Sequence, residues 1–158
     1  MLNSFCKTGP VLFAHADSKG IIGCIFAIAG QKFKMSETRV LVIDDNIDLT
    51  TIVSLILGAE GFLVKVCNTV EEGLFYLKDW KPNLLLLDVN VDGEDTRVLC
   101  KTIKAGSQQP ITIILMSGDE STLDDDDSYG ANDHISKPFD SAELLQKISA
   151  HLAHKVST

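Results

Sequence analysis

Four places in the sequence carry the side chains that a phosphoryl-transfer site uses. The acidic pair Asp44-Asp45, the single acid Asp88, the hydroxyl of Ser117 and the amine of Lys137 each lie at or directly after the end of a short strand-like run. Parallel strands end at one edge of their sheet, so we expect these groups to converge there.

Three carboxylates within a few ångströms of one another need a proton or a cation. Two like charges about 4 Å apart repel by roughly 4 kcal/mol at an effective dielectric near 20. Oxygen-only ligands and retained water suit Mg²⁺. We therefore predict that Asp45 binds Mg²⁺ directly and Asp44 through water. Asp88 would be the nucleophile and form an aspartyl phosphate, Lys137 would pair with the phosphoryl oxygens, and Ser117 would donate a hydrogen bond to them.

The runs that position these residues have the lengths and composition of strands. Residues 40–43, 84–87 and 111–116 are apolar almost throughout, which is typical of strands buried on both faces of a parallel sheet. Residues 63–67 and 133–136 contain charged or polar positions and suit the two sheet edges. The predicted fold is α/β: a doubly wound, flavodoxin-like sheet of five parallel strands in the order 2-1-3-4-5.

Amphipathic segments between the runs predict helices over residues 47–59, 70–78, 94–104 and 141–154. Right-handed crossovers place such helices on both faces of the sheet. The first helix is expected to bury a stripe and to end at Gly61, and two others to begin at capping boxes. The stripe consists of Leu49, Ile52, Val53 and Ile56, and the boxes of Thr69 with Glu72 and Asp140 with Glu143.

Composition excludes several classes of protein. The 158 residues suffice for one ordinary domain, and the net charge of −8 disfavours binding to nucleic acid. The longest apolar run, residues 21–29, is about half of the roughly 18–20 residues that a membrane span needs. The four cysteines are scattered, which favours a reducing compartment. We predict a cytoplasmic protein without membrane or nucleic-acid partners.

Residues 1–34 differ from the remainder in charge and patterning. They carry a formal charge of +3 within a chain of −8, and they show no regular hydrophobic period. Ile21 to Cys24 resembles a lipoprotein processing box, but polar residues interrupt the apolar segment before it. We predict an N-terminal extension, non-native or poorly ordered, over 1–34 and one domain over 35–158.

Four stretches of the sequence together resemble one known family. Val-Ile-Asp-Asp-Asn at 42–46, Leu-Leu-Asp-Val at 86–89, Met-Ser-Gly at 116–118 and His-Ile-Ser-Lys-Pro-Phe at 134–139 resemble, in order and spacing, the receiver domains of bacterial two-component response regulators. The resemblance covers about residues 38–154. It implies that Asp88 is the phosphoacceptor, Asp44 and Asp45 the acidic pair, Ser117 the switch hydroxyl and Lys137 the invariant lysine. It also implies that the backbone carbonyl of Asn90 binds the metal and that the Lys137-Pro138 peptide bond is cis.

The resemblance also implies partners and a mode of action. The phosphoryl donor would be a histidine kinase or a histidine phosphotransfer protein, and Mg²⁺ would be the cofactor. Such a domain is a signalling module that catalyses only its own phosphorylation and dephosphorylation. Because no output domain follows residue 154, the sequence predicts a stand-alone receiver that signals through a downstream protein.

Three positions depart from the family pattern. His134 stands where the family usually has the Tyr or Phe that swings inward, residues 121–128 contain four consecutive acids, and Thr96 stands where glycine is common. These departures keep open a degenerate receiver that only docks to proteins. A flavodoxin-like nucleotide binder is disfavoured by the acids after the first strand, and a haloacid-dehalogenase-type phosphatase by the position of Asp88 after the third.

Overall fold

The computed structural model describes residues 38–106, 111–118 and 129–153. Strands and helices alternate along most of the chain. The strands are β1 (Arg39–Ile43), β2 (Leu63–Cys67), β3 (Leu84–Asp88), β4 (Asn90–Val91), β5 (Glu94–Asp95), β6 (Thr112–Ser117) and β7 (Asp133–Ser136). The helices are α1 (Ile47–Ala59), α2 (Val70–Asp79), α3 (Arg97–Gly106) and α4 (Ser141–Ala153).

Five of the strands form one parallel sheet in the order β2-β1-β3-β6-β7. The two-residue strands β4 and β5 form a separate antiparallel hairpin. Without that hairpin, the order is the predicted 2-1-3-4-5, and the predicted edge strands are the observed ones. The doubly wound architecture is confirmed.

Alternation along the central strands divides the core into two layers. Val40 and Val42 of β1 point into a cluster that contains Val53 of α1 and Ile148 of α4. Their neighbours in β1 point into the opposite cluster, which contains Cys100 of α3 and contacts α2. All residues of β3 and β6 are buried, as expected for strands covered by helices on both faces.

The ends of α1 follow the sequence signals, but its buried face was predicted wrongly at one position. Gly61 has φ +88, and the amides of Gly61 and Phe62 donate to the carbonyls of Gly58 and Leu57, which completes a Schellman motif. Ile52 is 55% exposed. The buried residues are Thr50, Val53 and Leu57, so the stripe is rotated toward a buried threonine that composition alone does not reveal.

The third helix begins later than predicted because a hairpin precedes it. Helix α3 begins at Arg97, and Glu94 belongs to β5 instead. Asp92 and Gly93 both have positive φ, at 53 and 83, as a two-residue type I′ hairpin turn requires. Asp-Gly is among the strongest short hairpin signals, and here it prevails over the helical periodicity of the segment.

A glycine lets α2 approach β1 closely. A Cβ atom built on Gly73 would lie 2.2 Å from Cδ1 of Ile43, a fully buried residue. A larger residue would therefore force either the buried Ile43 side chain or the helix to shift, next to the strand that leads into Asp44.

Two predictions fall on residues outside the described ranges. They concern the extension at 1–34 and the acidic segment at 121–128, and both stay predictions. Within the described ranges, no helix combines the length and the apolar character that a membrane crossing requires.

Candidate functional site

The predicted site residues meet at the carboxyl edge of the sheet. Asp44 follows β1, Asp88 ends β3, Ser117 ends β6 and Lys137 follows β7. The register brings them side by side: Asp88 pairs with Met116, the residue before Ser117. The amide of Lys137 donates to the carbonyl of Ser117 at 2.6 Å, which joins the last two strand ends.

Three carboxylates form a cluster at this edge. One oxygen from each of Asp44, Asp45 and Asp88 lies within 4.8 Å of the others. Asp44 is fully buried, Asp88 is 7% exposed, and Asp45 is exposed. The cluster is thus open to solvent on the side of Asp45 and closed beneath Asp44.

Lys137 bridges the two buried acids. Its Nζ lies 2.6 Å from Oδ2 of Asp44 and 3.0 Å from Oδ2 of Asp88. One ammonium against three carboxylates leaves two formal negative charges when all three are ionised. That residual charge is what a divalent cation would balance.

The loop after β1 is held by hydrogen bonds to Asp44. The amide of Asn46 donates to Oδ1 of Asp44 at 3.0 Å, and Nδ2 of Asn68 donates to its main-chain carbonyl at 2.8 Å. Asn46 also caps α1, because its side-chain oxygen accepts the amide of Leu49 at 3.0 Å. The acidic pair is therefore attached to a helix start.

The hairpin turn contributes a contact that the sequence analysis missed. The backbone amide of Asp92 donates to Oδ2 of Asp45 at 3.2 Å. Since every residue except proline has this amide, no side-chain type could signal the contact. The Asp-Gly turn that brings the amide there was the available clue.

Burial dominates the electrostatics of Asp88. Loss of solvent raises the pKa of its carboxyl group. The hydrogen bond and charge of Lys137 and the backbone amide of Asn90 lower it, but they do not offset the burial, and the nearby charge of Asp44 adds to the increase. Asp88 is therefore an acid whose ionised form is less stable than usual in the protein without metal.

This shift predicts a pH dependence of stability. The folded state binds the Asp88 proton more tightly than the unfolded state, so stability contributed by protonated Asp88 is lost as pH rises through its raised pKa. In a chelator, we expect Asp88→Asn to raise the melting temperature relative to wild type, and the difference to grow from acidic to neutral pH. Thermal unfolding of both proteins across that range measures it. A variant that melts below the wild type at neutral pH would contradict the prediction.

The other predicted residues have these positions. Asn90 starts β4 with an exposed side chain, and His134 lies half-buried in β7, paired with Leu115. The Lys137–Pro138 peptide bond is cis. Ser117 is 3% exposed. The backbone carbonyl role of Asn90 and the switch role of His134 stay predictions.

Comparison with known proteins decides the family. The family model described as "Response regulator receiver domain" matches residues 40–149. The chain belongs to this receiver family. The match begins within β1 and includes the other four strands of the parallel sheet and the whole site.

Individual relatives agree with this assignment. The receiver is 31% identical over 114 residues to the "DNA-binding response regulator MtrA" of Mycolicibacterium paratuberculosis. The matched segment covers 72% of this chain and 51% of the relative. It therefore spans about half the length of that curated relative. Among solved structures, the receiver domain of NtrX from Brucella abortus has 29% identity and a TM-score of 0.66, covering 72% of this chain and 98% of that one. A CheY-like receiver from Methanospirillum hungatei has 26% identity and a TM-score of 0.67, covering 74% and 94%.

Proposed function

We propose that this receiver accepts a phosphoryl group on Asp88 and relays a signal by changing conformation. The observation that carries the proposal is the position of the Lys137 amine, which contacts Asp44 and Asp88 together within the three-carboxylate cluster. A carboxylate next to a cation and an oxygen-rich pocket is the arrangement that phosphoryl transfer uses.

Phosphoryl transfer here would use the ionised form of Asp88. One carboxylate oxygen attacks phosphorus, an O–P bond forms, and the P–N bond to the donor histidine breaks with its electron pair leaving on the imidazole. Burial opposes ionisation of Asp88, whereas the hydrogen bond from Lys137 favours it. As the phosphoryl group arrives, the Lys137 ammonium would pair with its oxygens, and the Ser117 hydroxyl would donate to them from the next strand end.

The cluster fits Mg²⁺ because all its donors are oxygens and the charge left after Lys137 is two negative units. Asp45 and Asp88 would bind the ion directly, Asp44 through water, and Asn90 through its backbone carbonyl. When bound, Mg²⁺ supplies positive charge next to the phosphoryl oxygens.

A charge test follows from the exposed position of Asp45. An amide at this position removes one negative charge from the cluster. The Coulomb attraction between a carboxylate and an adjacent cation amounts to several kcal/mol even at an effective dielectric near 20. We expect Asp45→Asn to weaken Mg²⁺ binding by about 100-fold, since roughly 1.4 kcal/mol is tenfold in affinity. Isothermal titration measures it, with Asp48→Asn in the first turn of α1 as the matched exposed control. Equal Mg²⁺ affinities for the two variants would remove Asp45 from the metal site.

The upstream partner in this proposal is a histidine kinase or a histidine phosphotransfer protein. Helix α1 begins two residues after Asp45 and exposes apolar side chains: Ile47 is 65%, Ile52 55% and Leu55 69% exposed. Exposed apolar side chains beside a reactive group suit contact with a protein donor. The donor histidine would then reach Asp88 from the open, Asp45 side of the cluster.

The downstream signal would begin with the new charge on Asp88. A phosphoryl group adds about −1.5 to −2 charge units and three acceptor oxygens. Ser117 would move toward them, and the adjoining strands β6 and β7, including His134, would shift with it. A downstream protein would read the altered surface.

Mass spectrometry of the intact protein tests the proposal. The wild type is incubated with acetyl phosphate, with Mg²⁺ or with a chelator, and half of each sample is then treated with hydroxylamine, which cleaves acyl phosphates but leaves phosphoserine intact. We expect one phosphate adduct that needs Mg²⁺ and disappears with hydroxylamine. No adduct would favour the alternative, a receiver that docks to proteins without phosphorylation, and an adduct that resists hydroxylamine would place the phosphoryl group on a hydroxyl.

A further inference from the structure

Thr96 is almost completely buried beside the phosphoacceptor. It is 2% exposed and lies at the end of the β4–β5 hairpin, directly before α3. Its Oγ1 donates a hydrogen bond to the main-chain carbonyl of Asp88, and its amide donates to the carbonyl of Val89 at 2.9 Å. Thr96 therefore binds two successive carbonyls, those of the last residue of β3 and of the residue after it.

These bonds hold one peptide unit at both ends. The peptide group between Asp88 and Val89 has its N–H bound to the carbonyl of Met116 at 2.9 Å and its C=O bound to the Thr96 hydroxyl. A peptide group is planar, so holding both its C=O and its N–H fixes the position of the Asp88 Cα, from which the carboxylate extends. The bond to Met116 comes from the sheet, whereas the bond to Thr96 depends on a side chain.

The hydroxyl of Thr96 is not used for helix capping in the usual way. The Thr96 carbonyl accepts the amide of Cys100 at 3.1 Å, which makes Thr96 the residue that precedes α3. An N-cap threonine ordinarily turns its oxygen toward the first amides of its helix. Here the carboxylate of Asp95 accepts the amide of Arg97 at 3.0 Å, and the threonine hydroxyl donates its proton toward β3 instead.

We propose that Thr96 is a positioning residue for phosphorylation, which holds the backbone of Asp88 so that its carboxylate lies in line with the incoming phosphorus. The proposal rests on the proposed function of Asp88. The residue acts through the main chain of Asp88 and touches neither phosphoryl group nor metal. Replacing its hydroxyl leaves the Asp88 carbonyl without this donor in a buried site, and the end of β3 gains freedom to rotate.

Valine is the informative replacement because it has the shape of threonine without the hydroxyl. A misplacement of about 1 Å can cost about 100-fold in rate, and loss of one of two anchors should cost less, so we expect Thr96→Val to slow phosphorylation by about tenfold at saturating acetyl phosphate and Mg²⁺. Thr96→Ser keeps the hydroxyl and should restore the rate to within about twofold of wild type. The apparent KM for acetyl phosphate should change little, because Thr96 does not contact the donor.

A second buried threonine separates positioning from stability. Thr112 is 3% exposed and begins β6, at the sheet edge opposite the site. We expect Thr112→Val to leave the phosphorylation rate unchanged whatever it does to the melting temperature. All rates are measured well below the melting temperature of each variant. Should Thr96→Val not fold, the inference is tested on Thr96→Ala, which also lacks the hydroxyl, with Thr96→Ser as the rescue.

The outcomes separate this inference from the proposed function. A slow Thr96→Val with a fast Thr96→Ser supports positioning by the hydroxyl. Equal phosphorylation rates for wild type and Thr96→Val would overturn the inference, and so would a Thr96→Ser rate as low as that of Thr96→Val. Either result would leave the proposed function of Asp88 intact. A wild type that forms no adduct would overturn both.

Discussion

Asparagine in place of Asp88 should abolish the phosphate adduct that acetyl phosphate and Mg²⁺ form on the wild type. The amide lacks the anionic oxygen that attacks phosphorus. Intact-mass measurement over a time course gives the fraction of protein phosphorylated. We expect no adduct on Asp88→Asn at times when the wild type is largely converted.

The control for this variant is an equivalent change outside the site. Asp48 lies in the first turn of α1 and is exposed, so Asp48→Asn should be phosphorylated like wild type. Unfolding does not explain the loss if Asp88→Asn melts at or above the wild-type temperature, as the raised pKa of Asp88 predicts. An adduct of equal amount on Asp88→Asn would move the phosphoacceptor elsewhere.

Methionine in place of Lys137 should have the second largest effect. Methionine keeps a long side chain but removes the ammonium that contacts Asp44 at 2.6 Å and Asp88 at 3.0 Å. Removing a preorganised donor that stabilises charge in the transition state typically costs about 100- to 1,000-fold in rate. We expect a fall of that size in the phosphorylation rate at saturating Mg²⁺.

Lys137→Met should also alter stability in a way that depends on the cation. In a chelator, two buried carboxylates lose their counter-charge, and a buried group left unpaired costs about 1–3 kcal/mol. The loss should be larger at neutral than at acidic pH, because acid protonates Asp88, whose pKa is raised by burial. Mg²⁺ should recover more stability in this variant than in wild type.

A second lysine provides the matched control. Lys147 of α4 pairs with Asp133 at 2.9 Å, away from the three-carboxylate cluster. Partly exposed pairs of this kind usually contribute little, so Lys147→Met should be phosphorylated normally. A Lys137→Met protein as fast as Lys147→Met would show that the ammonium takes no part in the transfer.

Most of the fold could be predicted from the sequence because the strands bury both faces. Apolar runs such as 84–87 are typical of a central strand, and Gly61 ends α1 through a backbone conformation that glycine favours. The errors lie where two local signals compete. Asp92-Gly93 forms a hairpin inside a segment with helical periodicity, and Ile52 is exposed because the buried face of α1 is rotated toward Thr50, Val53 and Leu57.

The site could be predicted as a set of side chains but not as a network. Acids and a lysine at strand ends must meet when the strands are parallel, so Asp44, Asp88 and Lys137 were accessible to sequence reasoning. The hydrogen bond from the backbone amide of Asp92 to the carboxylate of Asp45 could not be predicted, because a backbone donor is not signalled by residue type. Thr96 was noticed only as a departure from the family pattern, and its bond to Asp88 depends on how the hairpin folds back.

The most direct test of the central claim is to locate the phosphoryl group by chemistry. Borohydride reduces an acyl phosphate to an alcohol, which converts a phosphorylated aspartate into homoserine that peptide sequencing by mass spectrometry assigns to one position. After incubation with acetyl phosphate and Mg²⁺, we predict homoserine at position 88 and aspartate at positions 44 and 45. Homoserine at either of those positions, or none anywhere in a protein that carries a phosphate adduct, would contradict the account.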